Sequence, residues 1–159
     1  MKKHCKIFAL CLALLLALTL VCGLAACTDD TTEPDEPQTP TEPLVLVDTT
    51  TGEGIYAVVR PEISERRLID QAASLRTKLL NYFGAEKWEI LTDWEKDPDP
   101  AEIATRYEIL VGKTSRPESD LVYDALEEGE YTIRVVGNKL VVLGKTDELT
   151  AFAVDAFKN

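Results

Sequence analysis

Two Gly-Lys-Thr triplets, Gly112-Lys113-Thr114 and Gly144-Lys145-Thr146, each follow an apolar run and precede an apparent helix. Backbone N–H groups and a lysine in that setting can hold a phosphate. A phosphate loop also needs a glycine five residues before the second one, and those positions are Tyr107 and Lys139. Each triplet therefore reads as a strand-to-helix turn, with glycine easing the backbone and Thr, Ser or Asp capping the helix. Lys113 and Lys145 are retained as subordinate anion-binding candidates.

The acids offer a second chemistry. Asp97 with Asp99, Glu127 with Glu128 and Asp147 with Glu148 could be imagined as the acid and base of a small glycan hydrolase. Each pair falls in an expected turn or helix start, where acids are solvated, cap a helix or complement its dipole. Nothing around them implies the cleft that would separate two carboxyl pKa values. The Asp97 loop also lacks the acid and glycine spacing of a calcium-binding EF-hand.

Nucleophiles and metal ligands are scarce. All four cysteines, Cys5, Cys11, Cys22 and Cys27, and the single histidine, His4, lie in the first 27 residues. Beyond them no disulfide, thiol nucleophile, Ser-His-Asp triad or histidine-based metal site can be built within one chain, and no metal or cofactor is expected. Among the aromatic residues Trp88, Trp94, Tyr56, Tyr82, Tyr107, Tyr123 and Tyr131, most sit at strand spacing and read as core or boundary. Trp94, beside the acidic loop, is the candidate for stacking on a sugar.

These residues must be positioned by three segments. Residues 1–27 read as an export signal, with Lys2, Lys3 and Lys6 before a nearly continuous apolar run over 7–20. The run ends in Leu24-Ala25-Ala26-Cys27, which resembles the lipobox of bacterial lipoproteins. That resemblance implies lipidation of Cys27 and an extracytoplasmic, membrane-anchored location. An uncleaved transmembrane anchor is the alternative, since the run approaches the ~20 residues that span a bilayer. Residues 28–43 are Thr, Asp, Glu, Pro and Gln without a core former, and are expected to be a disordered acidic linker that holds the domain away from the membrane. Residues 28–159 carry 14 bases against 28 acids, a balance of −14, which argues against nucleic acid as a partner.

Residues 44–159 read as one α+β domain. Apolar runs at 44–47 and 55–59 flank Thr51-Gly52-Glu53-Gly54 and suggest a hairpin. Leu68, Ala72, Leu75, Leu79 and Phe83 make one helical stripe over 65–83, with Ser64 as N-cap and Gly84 as the stop. A strand is expected over 88–94, a loop at Asp97-Pro98-Asp99-Pro100, and a strand over 107–111. A helix from Pro117 should bury Leu121, Val122, Ala125 and Leu126. Strands at 131–136 and 139–143 flank the two-residue turn Gly137-Asn138. A last helix should bury Leu149, Phe152, Ala153, Ala156 and Phe157. On the hairpin, Thr132, Arg134 and Val136 with neighbouring Val141 and Leu143 suggest a partly apolar docking face.

The run Tyr107-Glu108-Ile109-Leu110-Val111-Gly112-Lys113-Thr114-Ser115-Arg116-Pro117-Glu118-Ser119, followed by Tyr131-Thr132-Ile133-Arg134-Val135-Val136-Gly137-Asn138-Lys139-Leu140-Val141-Val142-Leu143-Gly144, resembles the non-catalytic N-terminal domain of bacterial β-N-acetylhexosaminidases and α-glucuronidases. The order of the upstream elements fits the same domain over 44–159. The resemblance implies a mixed sheet with about three helices packed on it, zincin-like in shape and without a metal centre. Family carboxylates belong to a catalytic barrel expected to begin where this sequence stops, so none is transferred to a residue here. The expectation is a lipid-anchored accessory domain for glycan binding or for docking a glycosidase catalytic domain. The alternative is a truncated or split glycoside hydrolase whose barrel is missing.

Overall fold

A computed structural model describes residues 44–159. The expected signal segment 1–27, with Cys27, and the linker 28–43 lie outside the described residues. The described chain is α+β, with four helices packed with a five-stranded mixed sheet and a two-stranded sheet. Among the described residues, no helix is long and apolar enough to cross a membrane.

The strands are β1 (Val47–Asp48), β2 (Glu53–Gly54), β3 (Ala57–Arg60), β4 (Ile90–Thr92), β5 (Glu108–Val111), β6 (Tyr131–Val136) and β7 (Lys139–Gly144). The helices are α1 (Arg66–Phe83), α2 (Pro100–Thr105), α3 (Pro117–Ala125) and α4 (Asp147–Lys158). The large sheet runs β4-β3-β5-β7-β6, parallel except for β6 on the edge, which pairs antiparallel with β7. Strands β3, β5 and β7 are covered on both faces, which is why they read as near-continuous apolar runs rather than alternating ones.

Alternation along these strands divides the core. Val58, Ile109, Val111, Leu140 and Val142 face the stripe Leu68, Ala72, Leu75 and Leu79 of α1, joined by Ala153 and Val154 of α4. Val59, Leu110, Val141 and Leu143 face the other way and pack with Val122 of α3. Gly112 closes the turn after β5 with φ 85°, and a Cβ there would stand 2.8 Å from Leu68 Cδ2. The left-handed backbone and the close approach both require glycine.

Several expectations are corrected. The first hairpin exists but is shorter and displaced: β1 pairs with β2, while β3 leaves it to run parallel to β4 and β5. The chain thus spends its strongest apolar run, Val58-Val59, in the sheet centre. Ser64 does not cap α1; its hydroxyl donates to the Pro61 carbonyl, and Glu65 stands at the cap position without a side-chain bond. A fourth helix, α2, occupies part of the acidic Pro loop, because Asp99 accepts from Ala101 N at 2.9 Å and Pro100 suits the first turn. The strand expected over 88–94 narrows to Ile90–Thr92.

On α3, Leu121 and Ala125 are exposed and Ser119 is buried instead. On α4, Phe152 and Ala156 are exposed, and the buried stripe is Thr150, Ala151, Ala153 and Val154. Small residues let α4 lie close to α1 and β7, and the larger rings turn outward. The proposed hairpin face also fails, since Val141 and Leu143 are buried beneath α3. Strand β7 is interior, so both its faces are covered.

Candidate functional site

The most strongly charged feature is built into the apolar sheet. Glu108 opens β5 and Lys139 opens β7, and the parallel register makes them direct neighbours. Both are almost wholly buried, as is Arg116 at the start of α3. Glu108 Oε1 accepts from Arg116 Nη2 at 3.1 Å, and Oε2 accepts from Arg116 Nε at 3.1 Å and stands 3.1 Å from Lys139 Nζ. Lys139 Nζ also donates to the carbonyls of Ile103 at 2.8 Å and Arg106 at 2.5 Å. Each charge is matched, as burial of ions demands.

The cluster reaches outward to the segment between β4 and β5. Glu95 Oε1 accepts from Arg116 Nη2 at 3.0 Å and from Arg106 Nη1 at 2.7 Å, and Arg106 Nη2 donates to Glu102 at 2.8 Å. The Arg106 hydrogen bond holds the Glu95 carboxyl below its ordinary range despite partial desolvation. Asn138, in the β6–β7 turn, donates to the carbonyls of Ala104 and Arg106, both at 2.9 Å. The assembly latches α2 and its flanking loops onto the edge of the apolar layer, and all its donors and acceptors serve that purpose.

Asp93 makes a second fastening at the C-terminal ends of the parallel strands. Its Oδ1 accepts from Glu62 N at 2.8 Å and its Oδ2 from Ser115 N at 2.7 Å, tying together the loops after β3, β4 and β5. Trp94 therefore stands between two immobilised acids, Asp93 and Glu95, with its side chain 66% exposed. Replacing Asp93 with alanine should cost about 1–2 kcal/mol by removing two charge-assisted bonds. Urea unfolding reads that loss, and a fall in the fluorescence anisotropy of Trp94 reads the loosened loop; an unchanged anisotropy would show that Asp93 does not hold it.

The structure brings Lys113 and Lys145 together on one ring. Their ammonium groups lie 4.2 and 4.5 Å from the centroid of Tyr123 on α3. Lys113 also pairs with Asp120 at 3.7 Å, and Lys145 Nζ donates to the Tyr123 carbonyl at 3.2 Å. The amides of the first triplet and its continuation have protein partners: Gly112 N with Val142 O, Thr114 N with Ser119 Oγ, Ser115 N with Asp93, and Arg116 N with Thr114 Oγ1. In the second, Gly144 N donates to Thr150 Oγ1 and Lys145 N to Glu130 O, while Thr146 caps α4 by accepting from Leu149 N. The capping expectation thus holds for Thr146, whereas the first turn is closed by Ser119 and Asp93.

The acid pairs are dispersed into structural tasks. Asp99 caps α2, Glu148 pairs with Arg67 at 3.5 Å, and Glu127 N donates to Glu130. Sequence reasoning missed Glu108, Arg116 and Lys139. Their signal was present as charges inside or beside the apolar runs at 108–111 and 139–143. Among the described residues, no three His, Cys, Asp or Glu side chains gather as a metal site. No protein-family model matches the chain, and a search of curated proteins finds no match.

Proposed function

We propose that residues 44–159 form a non-catalytic recognition domain, of the glycosidase-accessory type that the sequence resembles, carried at the extracytoplasmic face on a lipid anchor at Cys27. Its ligand is a glycan, contacted through Trp94. The observation that carries this reading is an exposed indole on a backbone held from both sides. An aromatic ring with apolar area and a polar edge suits the C–H face and hydroxyls of a sugar, and a preformed position lowers the ordering cost of binding.

The deep ionic cluster supports a structural rather than a reactive use of its charges, because each is committed to a partner. A second reading is protein docking, favoured by Ile63. That side chain is 94% exposed on the loop that Asp93 fastens to the Trp94 loop.

Titration of the full chain in detergent against a panel of soluble glycans, followed by Trp fluorescence, tests the proposal. Trp94→Ala should reduce affinity for the bound glycan by tenfold or more, about 1.4 kcal/mol, without a shift in the unfolding midpoint. Binding unaffected by that substitution would remove Trp94 from the site. Glycosidase capture that depends on Ile63, without glycan binding, would favour the docking reading.

A further inference from the structure

Beside the Trp94 loop lies a groove of about 370 Å³ between α2 and the start of α3. Pro98, Pro100 and Ile103 supply apolar walls, and Asp93, Ser115 and Glu118 supply polar groups. The carboxylates here are unlike those nearby. Glu95, Glu102 and Glu108 all face cations, whereas Asp93 accepts only from the backbone amides of Glu62 and Ser115. Glu118 Oε2 is buried without a hydrogen-bond partner among the described residues. Arg116 also lines the groove, but its guanidinium is committed to Glu108, Glu95 and the Asp93 carbonyl. The groove therefore carries two carboxylates without an ionic partner in an otherwise apolar wall.

From this we infer that the groove receives a protonated primary amine of an amino sugar, with Glu118 as its acceptor. The inference rests on the reading of the domain as a glycan binder and names the class of glycan. An ammonium on a compact apolar frame matches the site: the C–H face lies on the prolines, and the charge meets an acid whose burial leaves it undersatisfied. Two carboxylates are too few for a calcium ion, which takes six to eight oxygens. Charge complementarity also orders the alternatives, because an N-acetylated sugar is neutral and cannot compensate Glu118.

The test is calorimetric titration of the full chain in detergent with glucosamine oligomers and with N-acetylglucosamine oligomers of equal length, at a pH where the amine is protonated. A Gly-Lys-Gly peptide is the third probe. The glucosamine oligomer should bind at least about tenfold more tightly than the acetylated one, and Glu118→Gln should abolish that preference. Glu118→Gln should leave the unfolding midpoint unchanged, which separates lost recognition from lost folding.

Equal affinity for the two oligomers, or a preference that survives Glu118→Gln, overturns the inference. If that equal binding still depends on Trp94, the glycan reading stands by itself. Preference for the lysine peptide overturns the inference in favour of a protein partner, and no binding of either oligomer overturns both.

Discussion

Glu108→Ala should lower stability by about 3–5 kcal/mol, the range for removing one partner of a buried ion pair. The reason lies in what remains. Arg116 and Lys139 would stay as two buried cations at the same end of the sheet, with Lys139 0% exposed and its remaining bonds directed to carbonyls. Glu108→Gln should cost less, because an amide oxygen still accepts from one donor, but it supplies no charge to offset two. Urea unfolding of the two variants at neutral pH provides the comparison. A loss below about 1 kcal/mol for alanine would place the cluster with solvent-screened surface pairs. The opposite design is equally informative: replacing all three residues with apolar ones of similar volume should recover much of the loss, since desolvation is then never incurred.

Trp88→Ala should also cost about 3–5 kcal/mol, the range for deleting a large buried aromatic side chain. Trp88 is 1% exposed and stacks on Phe83 at 5.9 Å between centroids. Gly54 lies flat against its indole, where a Cβ would come within 2.5 Å of the ring. The informative variant is Trp88→Phe. Its smaller ring leaves part of the cavity, but it removes Nε1, a buried donor with no partner among the described residues. The two effects oppose, so the loss should stay below about 2 kcal/mol. Equal losses for alanine and phenylalanine in chemical unfolding would show that packing around the full indole outweighs its unsatisfied N–H.

The regular elements were legible where one physical signal dominated. The stripe of α1 repeats every three or four residues and Gly84 ends it with φ 63°, so both face and stop were readable. The Gly137-Asn138 turn is local and fixed the β6–β7 register, with Val136 opposite Lys139. Non-local choices were not readable in this way. The run at 55–59 is equally apolar whether it folds back on β1 or inserts beside β5, and only the completed sheet decides between them. The burial of Leu143 followed from β7 being interior, a fact of strand order rather than of residue type.

The site divides along the same line. Exposure of Trp94 was legible from its place beside the acidic Pro loop. The Glu108–Lys139 contact depends on parallel register between strands about thirty residues apart in sequence, so neither residue announced its partner. The convergence of Lys113 and Lys145 was likewise hidden: the triplets look like independent motifs until α3 carries Tyr123 between them.

The strand order also has a consequence in time. Strands β3 and β5 pair through Ala57 and Glu108, a long separation that delays their meeting, while β6 and β7 are joined by two residues. A chain emerging from its N-terminus first releases β5 before β7, and until Lys139 arrives Glu108 has no neighbour on that side. The hairpin that forms fastest is thus also the one that must be made last, and the charged latch closes only when it docks.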